Sequence, residues 1–199
     1  MNKPIKRGMR REVGLGKPLV RRELVARGFR GNTLSEMAAR GVVYRVAQGV
    51  YAPTMGTDSA LFDYELAAKA VPKGVFTLVS ALRLHGLTDE NPLRMTMAIP
   101  LKGHPPKTTL PIDFVYMTPS LLDADVDVCG SPGEAYRVFT LERTIAECFK
   151  ARNKIGIGIA VAALREAVSR GRLNMNRFAD VLGRCRMLRI VRPYMEGVA

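Results

Sequence analysis

The chain has 199 residues, 47% of them hydrophobic and 25% charged, with a formal net charge of +13. These values are typical of a soluble globular protein with a sizeable core, and the longest apolar run, Ile155–Leu164, is too short to span a membrane. Cys129, Cys148 and Cys185 form no Cys-x-x-Cys metal pair, and a disulfide framework is not expected, which favours a reducing cytoplasm.

The positive charge is concentrated at the two ends of the chain. Residues 1–52 carry 12 Lys and Arg against 3 Asp and Glu, whereas residues 53–139 carry 7 against 10. Residues 140–199 carry 12 against 5. A basic excess is either a solvated surface or a surface that meets nucleic acid. Which of the two holds for residues 1–52 depends on the elements that these residues form.

Met1 to Lys17 is predicted to be a basic arm, since Glu12 is its one acidic residue. Such an arm could reach phosphates or a minor groove, or it could be a frayed terminus without function. Ile5–Val13 is the candidate for a helix that supports the following motif, although Gly8 weakens it.

The stretch from Pro18 to Gly28 predicts an amphipathic helix that stops at Gly28. Arg30-Gly31 then forms a turn. The apolar positions that share one face of this helix are Leu19, Val20, Leu24, Val25 and Phe29.

A second helix is predicted from Thr33 to Gly41. Thr33 and Glu36 have the spacing of a capping box, in which each side chain satisfies a backbone N–H at the helix start. Leu34, Met37 and Ala38 are expected to pack inward. The side chains left exposed, where a recognition helix meets base edges, are Asn32, Ser35, Glu36, Ala39 and Arg40.

A hairpin is predicted after the second helix, with strands at Val42–Val46 and Val50–Ala52. Gly49 supplies the positive φ that its tight turn needs. Helix, turn, helix and hairpin together are the order of a winged helix-turn-helix, so we predict a DNA-binding domain over residues 1–55. A winged helix used only for protein contacts is the alternative.

The residue types suggest different roles on DNA. Arginines meet phosphates and so position the domain, whereas Asn, Ser, Glu and Arg on the second helix can read base edges. Glu36 is ambiguous, because a capping box turns it toward the backbone. The predicted DNA-binding set is Arg21, Arg22, Arg30, Asn32, Thr33, Ser35, Glu36, Arg40, Arg45 and Gln48.

Residues 56–199 predict a second domain that is mixed α/β first and helical afterwards. The predicted helices are Ala60–Val71, Phe76–Leu84, Leu141–Lys150, Ile159–Val168 (expected in the interior) and one that is capped by Asn174. The predicted strands are Arg94–Pro100, Ile112–Met117 and Tyr136–Phe139, with a polar loop from Lys102 to Pro111. The fold class is therefore predicted to be α+β.

Two patterns raise the question of an enzyme. His85 lies near Asp89 and Glu90, but an imidazole at a helix C-terminus more simply bonds free carbonyls, so we interpret it as structural. Gly156 and Gly158 lack a P-loop or dinucleotide pattern and are interpreted as close-packing glycines.

Three alternating aspartates could belong to a metal-dependent nuclease. Such a site needs clustered carboxylates followed by a lysine, and no lysine follows these. We interpret them as a solvated loop or strand edge; they are Asp123, Asp125 and Asp127. No catalytic residue, metal or cofactor is predicted.

Five segments share their order and spacing with a known family: Gly49–Pro53, Ser80–Pro92, Arg143–Phe149, Arg152–Gly156 and Arg192–Glu196. On these motifs the chain resembles the AbiEi antitoxins of type IV toxin-antitoxin systems, over nearly all of its length after Pro18. The resemblance implies an N-terminal winged helix that binds inverted repeats and represses its own operon. It also implies a C-terminal domain that counteracts a nucleotidyltransferase-like toxin, typically without a stable complex, with a role in phage defence.

We therefore predict a cytoplasmic α+β antitoxin with a DNA-binding domain at 1–55 and an antitoxin domain at 56–199. Its expected partners are operator DNA and a cognate nucleotidyltransferase-like toxin. The alternatives are a solitary winged-helix regulator and, less favoured, a metal-dependent nuclease. A second basic surface, for DNA or RNA, is possible at Arg165, Arg170, Arg172, Arg177, Arg184, Arg186, Arg189 and Arg192.

Overall fold

The computed structural model describes residues 16–55, 61–90, 92–102, 104–131 and 133–197. Within this part, the first of two compact units holds residues 16–55, 61–72, 104–110 and 133–135, and the second holds the rest. Helices and two separate sheets occur in the described residues, which confirms the α+β class. The predicted helix Ile5–Val13, and the basic arm except for its last two residues, lie outside them.

The first unit is built around a three-stranded antiparallel sheet. Its elements are β1 (Leu19–Val20), α1 (Arg21–Ala26), α2 (Thr33–Ala39), β2 (Val43–Ala47), β3 (Val50–Pro53) and α3 (Phe62–Ala70). The strand order is β1-β3-β2, and the predicted hairpin is confirmed, with Gly49 at a φ of 72° in its turn. The predicted domain boundary at residue 55 stays a prediction, because grouping α3 with this unit does not show how either segment folds alone.

The first predicted helix is wrong at its start. Leu19 and Val20 pair with Tyr51 and Val50 as a strand, and α1 begins only at Arg21. Two buried apolar residues before a short helix fit either period, so periodicity alone could not separate them from the helix. The predicted apolar face also fails at Val25, whose side chain is 47% exposed.

The predicted capping box at the start of α2 is also wrong. Thr33 is the first helical residue, and Asn32 at the N-cap makes no side-chain bond to the backbone. Instead Asn32 Nδ2 donates to Glu36 Oε1 over 2.6 Å, so the carboxylate is turned toward a side chain rather than a backbone N–H. Leu34 and Met37 are buried as predicted.

Two distant segments complete the first unit. Helix α3 is joined to α1 by an ion pair of 2.7 Å between Lys69 and Glu23. The outer edge of β2 is covered by residues 104–110, because Thr108 bridges Ala47 and the Thr109 N–H donates to the Val46 carbonyl over 2.9 Å. Covering an edge strand removes unpaired backbone groups that would otherwise meet other chains.

The second unit combines a five-stranded mixed sheet with helices. Its elements are β4 (Val75–Phe76), α4 (Leu78–Leu84), β5 (Met95–Pro100), β6 (Ile112–Met117), α5 (Pro119–Leu122), β7 (Val126–Cys129), β8 (Tyr136–Phe139), α6 (Leu141–Lys150), α7 (Arg152–Ile155), α8 (Ile157–Ser169), α9 (Met175–Cys185) and α10 (Leu188–Glu196). The strand order is β6-β5-β4-β8-β7. The pairs β5–β6 and β4–β8 are parallel and the others antiparallel, so the three predicted strands are confirmed as β5, β6 and β8.

The predicted helix Phe76–Leu84 is wrong at its start. Phe76 lies in β4, the central strand, and α4 begins at Leu78. Val75 and Phe76 are fully buried, and aromatic and β-branched side chains of this kind favour a strand covered on both faces. A two-residue strand joined to a helix leaves no alternation to detect.

The helical half of the second unit has its own core. Helix α6 has the predicted bounds, and Phe149 from α6, Leu164 from α8 and Phe178 from α9 meet in one buried cluster. Helix α8 buries only one face, since Ala162 and Arg165 are exposed, which corrects the prediction that Ile159–Val168 lies in the interior. The close-packing interpretation of the two glycines is wrong: Gly156 has a φ of 88° between α7 and α8, and no described atom lies within 4 Å of a Cβ built at Gly156 or Gly158.

The cap of α9 supplies a test of the fold. Asn174 Oδ1 accepts from the Arg177 N–H over 3.0 Å, as predicted. We expect Asn174→Ala to lower the free energy of unfolding by about 1 kcal/mol, a fall of roughly 2–4 °C in Tm. The control is Asn176→Ala, an exposed position inside the same helix. Equal losses in both variants, measured by thermal denaturation, would contradict the capping role.

Candidate nucleic-acid interface

All ten residues predicted to contact DNA lie in the first unit. Arg21 and Arg22 begin α1, and Arg45 and Gln48 lie on β2 and in the hairpin turn. The other six lie along α2 and its two ends: Arg30, Asn32, Thr33, Ser35, Glu36 and Arg40. Nine of the ten are exposed and Thr33 is half-buried, so the set is available to a ligand.

Five of the ten residues line one depression of about 770 Å³. They come from the start of α1, from α2 and from the hairpin: Arg21, Arg22, Ser35, Arg45 and Gln48. Three arginines therefore face the same concave surface. A surface of this charge is suited to phosphate oxygens, which guanidinium groups bind through paired N–H donors.

A backbone hydrogen bond fixes the position of Arg21, which lines this depression. Its N–H donates to the carbonyl of Gly49 over 2.8 Å, which joins the start of α1 to the hairpin turn. Its guanidinium reaches the turn between α1 and α2, where a Cβ built at Gly31 would lie 3.3 Å from Arg21 Nη2. Arg21 thus spans the hairpin turn and the interhelical turn.

Arg45 is oriented by an irregularity in the hairpin. The β2–β3 register shifts between Arg45 and Ala47, and Arg45 Nε donates to the Ala47 carbonyl over 3.2 Å. A bulge of this kind redirects a side chain away from the regular alternation. This contact uses one of the five guanidinium N–H donors of Arg45 and leaves the terminal nitrogens for a ligand.

A second depression, of about 310 Å³, borders the other side of α2. Arg30, Thr33, Glu36 and Arg40 are among its lining residues. The last three follow at spacings of three and four, which place them on one helix face, whereas Ser35 belongs to the face of the first depression. The residues predicted to read bases are therefore divided between two sides of the helix.

Asn32 and Glu36 are already bonded to each other in this arrangement. Because Asn32 Nδ2 donates to Glu36 Oε1, one amide hydrogen and one carboxylate oxygen are occupied. The Asn32 carbonyl oxygen and its second amide hydrogen remain available, and these are the groups that recognise adenine.

Two acidic side chains of the first unit are paired with lysines that do not belong to the predicted DNA-binding set. The described residues of this unit include nine Lys and Arg and five Asp and Glu. Glu23 pairs with Lys69 over 2.7 Å, and Glu134 pairs with Lys17 over 2.5 Å. Neither of these acids therefore pairs with an arginine of the depression.

Sequence reasoning missed Lys107. The antiparallel bridge between Thr108 and Ala47 sets a register that places Lys107 opposite Gln48, beside the hairpin turn. Lys107 is exposed, so it adds a positive charge at a hairpin tip that has none of its own. Local sequence gives little signal for this, because the pairing joins segments far apart in the chain.

His85 has a structural role, although its partner differs from the prediction. His85 Nε2 donates to the Phe139 carbonyl at the end of β8 over 2.7 Å. The carbonyls of His85 and Gly86, at the end of α4, instead accept from Arg172 and Arg170. Burial lowers the pKa of His85, as does the charge of Arg172, while the bond to Phe139 acts in the opposite direction.

The alternating aspartates are engaged by arginines. Asp123 pairs with Arg137 over 2.5 Å, and both carboxylate oxygens of Asp125 lie within 2.8 Å of Arg184 Nη2. Asp127 lies on β7, an edge strand, in agreement with the predicted strand edge. Among the described residues, no group of three or more His, Cys, Asp and Glu is arranged to hold a metal ion.

Several C-terminal arginines also serve the fold. Arg170 and Arg172 bond the backbone at the end of α4, and Arg184 pairs with Asp125, as described above. In addition, Arg170 Nη2 lies 2.5 Å from Glu166, and Arg192 pairs with Glu196 over 3.0 Å. Their charges are therefore partly compensated within the second unit. Of these ion pairs, only the one between Arg184 and Asp125 draws on an acid outside residues 140–199, so most of the C-terminal basic excess remains.

No protein-family model matches the chain, and a search of curated proteins also finds no match. Within the part of the chain that the structure describes, no helix is long and apolar enough to cross a membrane.

His85 predicts a pH dependence of stability. Its folded-state pKa lies below the ordinary 6.5, so stability is unaffected well above that pH and is lost as the pH falls below it toward the folded-state pKa. We expect Tm to fall less in His85→Gln than in the wild type between about pH 7.5 and pH 5. The control is His104→Gln, at an exposed loop position. The same fall in His85→Gln as in the wild type would contradict the buried neutral imidazole.

Proposed function

We propose that the first unit is a winged helix-turn-helix that binds double-stranded DNA, and that the protein represses its own operon in the cytoplasm. The observation that carries this proposal is the convergence of Arg21, Arg22 and Arg45 on one depression beside the exposed face of α2. A basic surface next to an exposed helix is the arrangement that DNA binding requires.

The order of elements supports the proposal. A short strand, two helices and a hairpin follow one another, and the short strand pairs with the second strand of the hairpin. Helix α2 has seven residues, and an α-helix with its side chains is about 10–12 Å across, which fits a major groove about 12 Å wide. It presents Ser35, Glu36, Ala39 and Arg40 as exposed side chains.

The side chains suit a division between phosphate and base contacts. Arg21, Arg22 and Arg45 would bind phosphates and set the register of the domain, while Arg40 and Asn32 would read guanine and adenine. Gln48 and Lys107, at the hairpin tip, would meet the adjacent backbone. Inverted repeats in the operator would then require two copies of the domain.

We further propose that the protein is an antitoxin whose second unit counteracts a nucleotidyltransferase-like toxin. The resemblance to AbiEi antitoxins supports this, since its motifs occur in both halves of the chain. The second unit also has a buried core separate from the predicted DNA-binding residues, as a second function would need. No catalytic role is proposed, because Asp123 and Asp125 are held by arginines.

Salt dependence tests the phosphate contacts. For Arg22→Ala and for Arg45→Ala, we expect weaker binding of the full-length protein to all duplexes, including the DNA upstream of its own gene. The slope of log affinity against log salt should become shallower by about 0.9 per lost phosphate contact. Fluorescence anisotropy between roughly 50 and 200 mM salt measures this.

The matched control is Arg94→Ala. It removes one exposed arginine, paired with Asp113 over 2.7 Å, from the second unit. We expect its salt slope to equal that of the wild type. Equal slopes in all four proteins would contradict the proposed interface.

The two functions can be separated in cells. We expect Arg22→Ala/Arg45→Ala to derepress a reporter under the operon's promoter while still rescuing growth when the neighbouring toxin gene is induced. The physical reason is that both substitutions lie on exposed positions of the first unit and leave the second unit intact. If the double variant derepresses the reporter but not even the wild type rescues growth, the protein is a solitary regulator and not an antitoxin.

A further inference from the structure

We infer that the second unit contains a binding site for an organic oxyanion with an apolar body, independently of any DNA binding. The site is a pocket of about 420 Å³ between the sheet and α6. Its volume lies within the range of small-molecule sites, roughly 300 to 1,000 Å³. The lining residues that define its chemistry are Thr77, Leu101, Tyr116, Leu121, Arg143 and Lys154.

The walls of the pocket hold apolar side chains that the fold leaves exposed. Leu101, Tyr116 and Leu121 are 57%, 45% and 41% exposed, and all three line this one pocket. Single exposed apolar residues are ordinary, but a group of them around a concavity indicates a ligand surface. Tyr116 also offers a ring face on which a planar body can stack.

Three buried polar atoms at the pocket lack a hydrogen-bond partner among the described residues: Thr77 Oγ1, Arg143 Nε and Glu147 Oε1. Glu147 Oε1 still lies in an ion pair, 2.6 Å from Arg143 Nη2. Thr77 occupies the N-cap position of α4, but its hydroxyl caps no backbone N–H. Thr77 Oγ1 and Arg143 Nε can both donate, so what these two atoms lack is an acceptor. Leaving a buried donor unmatched is costly, and such an atom calls for an explanation.

The charges around the pocket favour an anion. Arg143 and Glu147 compensate each other, because Arg143 Nη2 lies 2.6 Å from Glu147 Oε1. Lys150 and Lys154 then add two positive charges, of which Lys150 Nζ lies 3.9 Å from Glu147 Oε2. The excess is positive, and the unmatched donors require an acceptor, so an oxyanion satisfies both.

The backbone of the pocket is strained at the residue that follows Thr77. Leu78 has a φ of 52°, which is unfavourable for a bulky side chain, and it lines the pocket directly after Thr77. Strain of this kind is retained where the surroundings impose it, often at ligand sites. The strained residue directly follows Thr77, whose hydroxyl caps no backbone N–H of α4.

The ligand chemistry follows from these features. One end is a carboxylate or a phosphate, placed to accept from Thr77, Arg143 and the lysines. The other end is an aliphatic or aromatic body against Leu101, Tyr116 and Leu121. A protein segment is less favoured, because the volume suits a small molecule.

Calorimetry of the full-length protein tests separately whether binding requires the negative charge of the ligand and whether it requires the apolar body. The probes are decanoate and 1-naphthyl phosphate, which distinguish a carboxylate from a phosphate head. Decyltrimethylammonium supplies the same tail as decanoate with the opposite charge, and inorganic phosphate supplies a head alone. We expect one of the first two to bind with a stoichiometry of one, and both controls to bind at least tenfold more weakly.

Variants test the residues. Thr77→Val keeps the shape but removes the unmatched donor, so it should weaken the bound probe by roughly tenfold without lowering Tm. Lys154→Gln should also weaken binding, whereas Lys73→Gln, at an exposed position outside the pocket, should leave it unchanged. If Thr77 were merely structural, Thr77→Val would bind like the wild type.

The inference is overturned if neither decanoate nor naphthyl phosphate binds, or if the cationic amphiphile binds as well as decanoate. It is also overturned if Thr77→Val remains folded and binds with unchanged affinity. None of these outcomes depends on the proposed DNA contacts, so the two proposals fail separately.

Discussion

The antiparallel pairing of β1 with β3 is the constraint on which the first unit depends. It fixes Leu19 against Tyr51, and because α1 begins directly after β1, the Arg21 N–H reaches the carbonyl of Gly49. Backbone hydrogen bonds thereby hold arginines from α1 and β2 around one depression despite their mutual repulsion. At physiological salt that repulsion is screened over about 8 Å, so buried backbone pairing prevails over it. With a phosphate backbone bound, the net electrostatic interaction at this depression would be attractive instead of repulsive.

The second unit likewise holds charged side chains in fixed positions at a site that can bind a ligand. Arg143 and Glu147 are 2% and 6% exposed, and burying such a pair contributes little to stability by itself. A hydrophobic pair of similar size would serve the core as well. The unmatched Arg143 Nε and Thr77 Oγ1 beside this pair make a ligand the simpler physical explanation.

Much of the fold can be predicted from the sequence, because strong periodicity, glycine turns and the Asn174 cap act locally. The failures at the starts of two helices have one cause, which is pairing between distant segments. The local patterns around Leu19 and Phe76 predict helices, although each residue belongs to a two-residue strand fixed by remote partners. Lys107 was missed because Thr108 pairs with a hairpin far earlier in the chain. The set of candidate DNA-binding residues could be predicted, but not its division between two sides of α2.

Photo-crosslinking from the hairpin tip tests the central claim most directly. A photoreactive residue is placed at Gln48, which is exposed in the turn, or at Val128, which is 70% exposed on β7. The full-length protein is then irradiated with DNA from upstream of its own gene. If the hairpin tip contacts DNA, a DNA adduct forms at position 48 and none forms at position 128. No adduct at position 48, or equal yields at both positions, would contradict it.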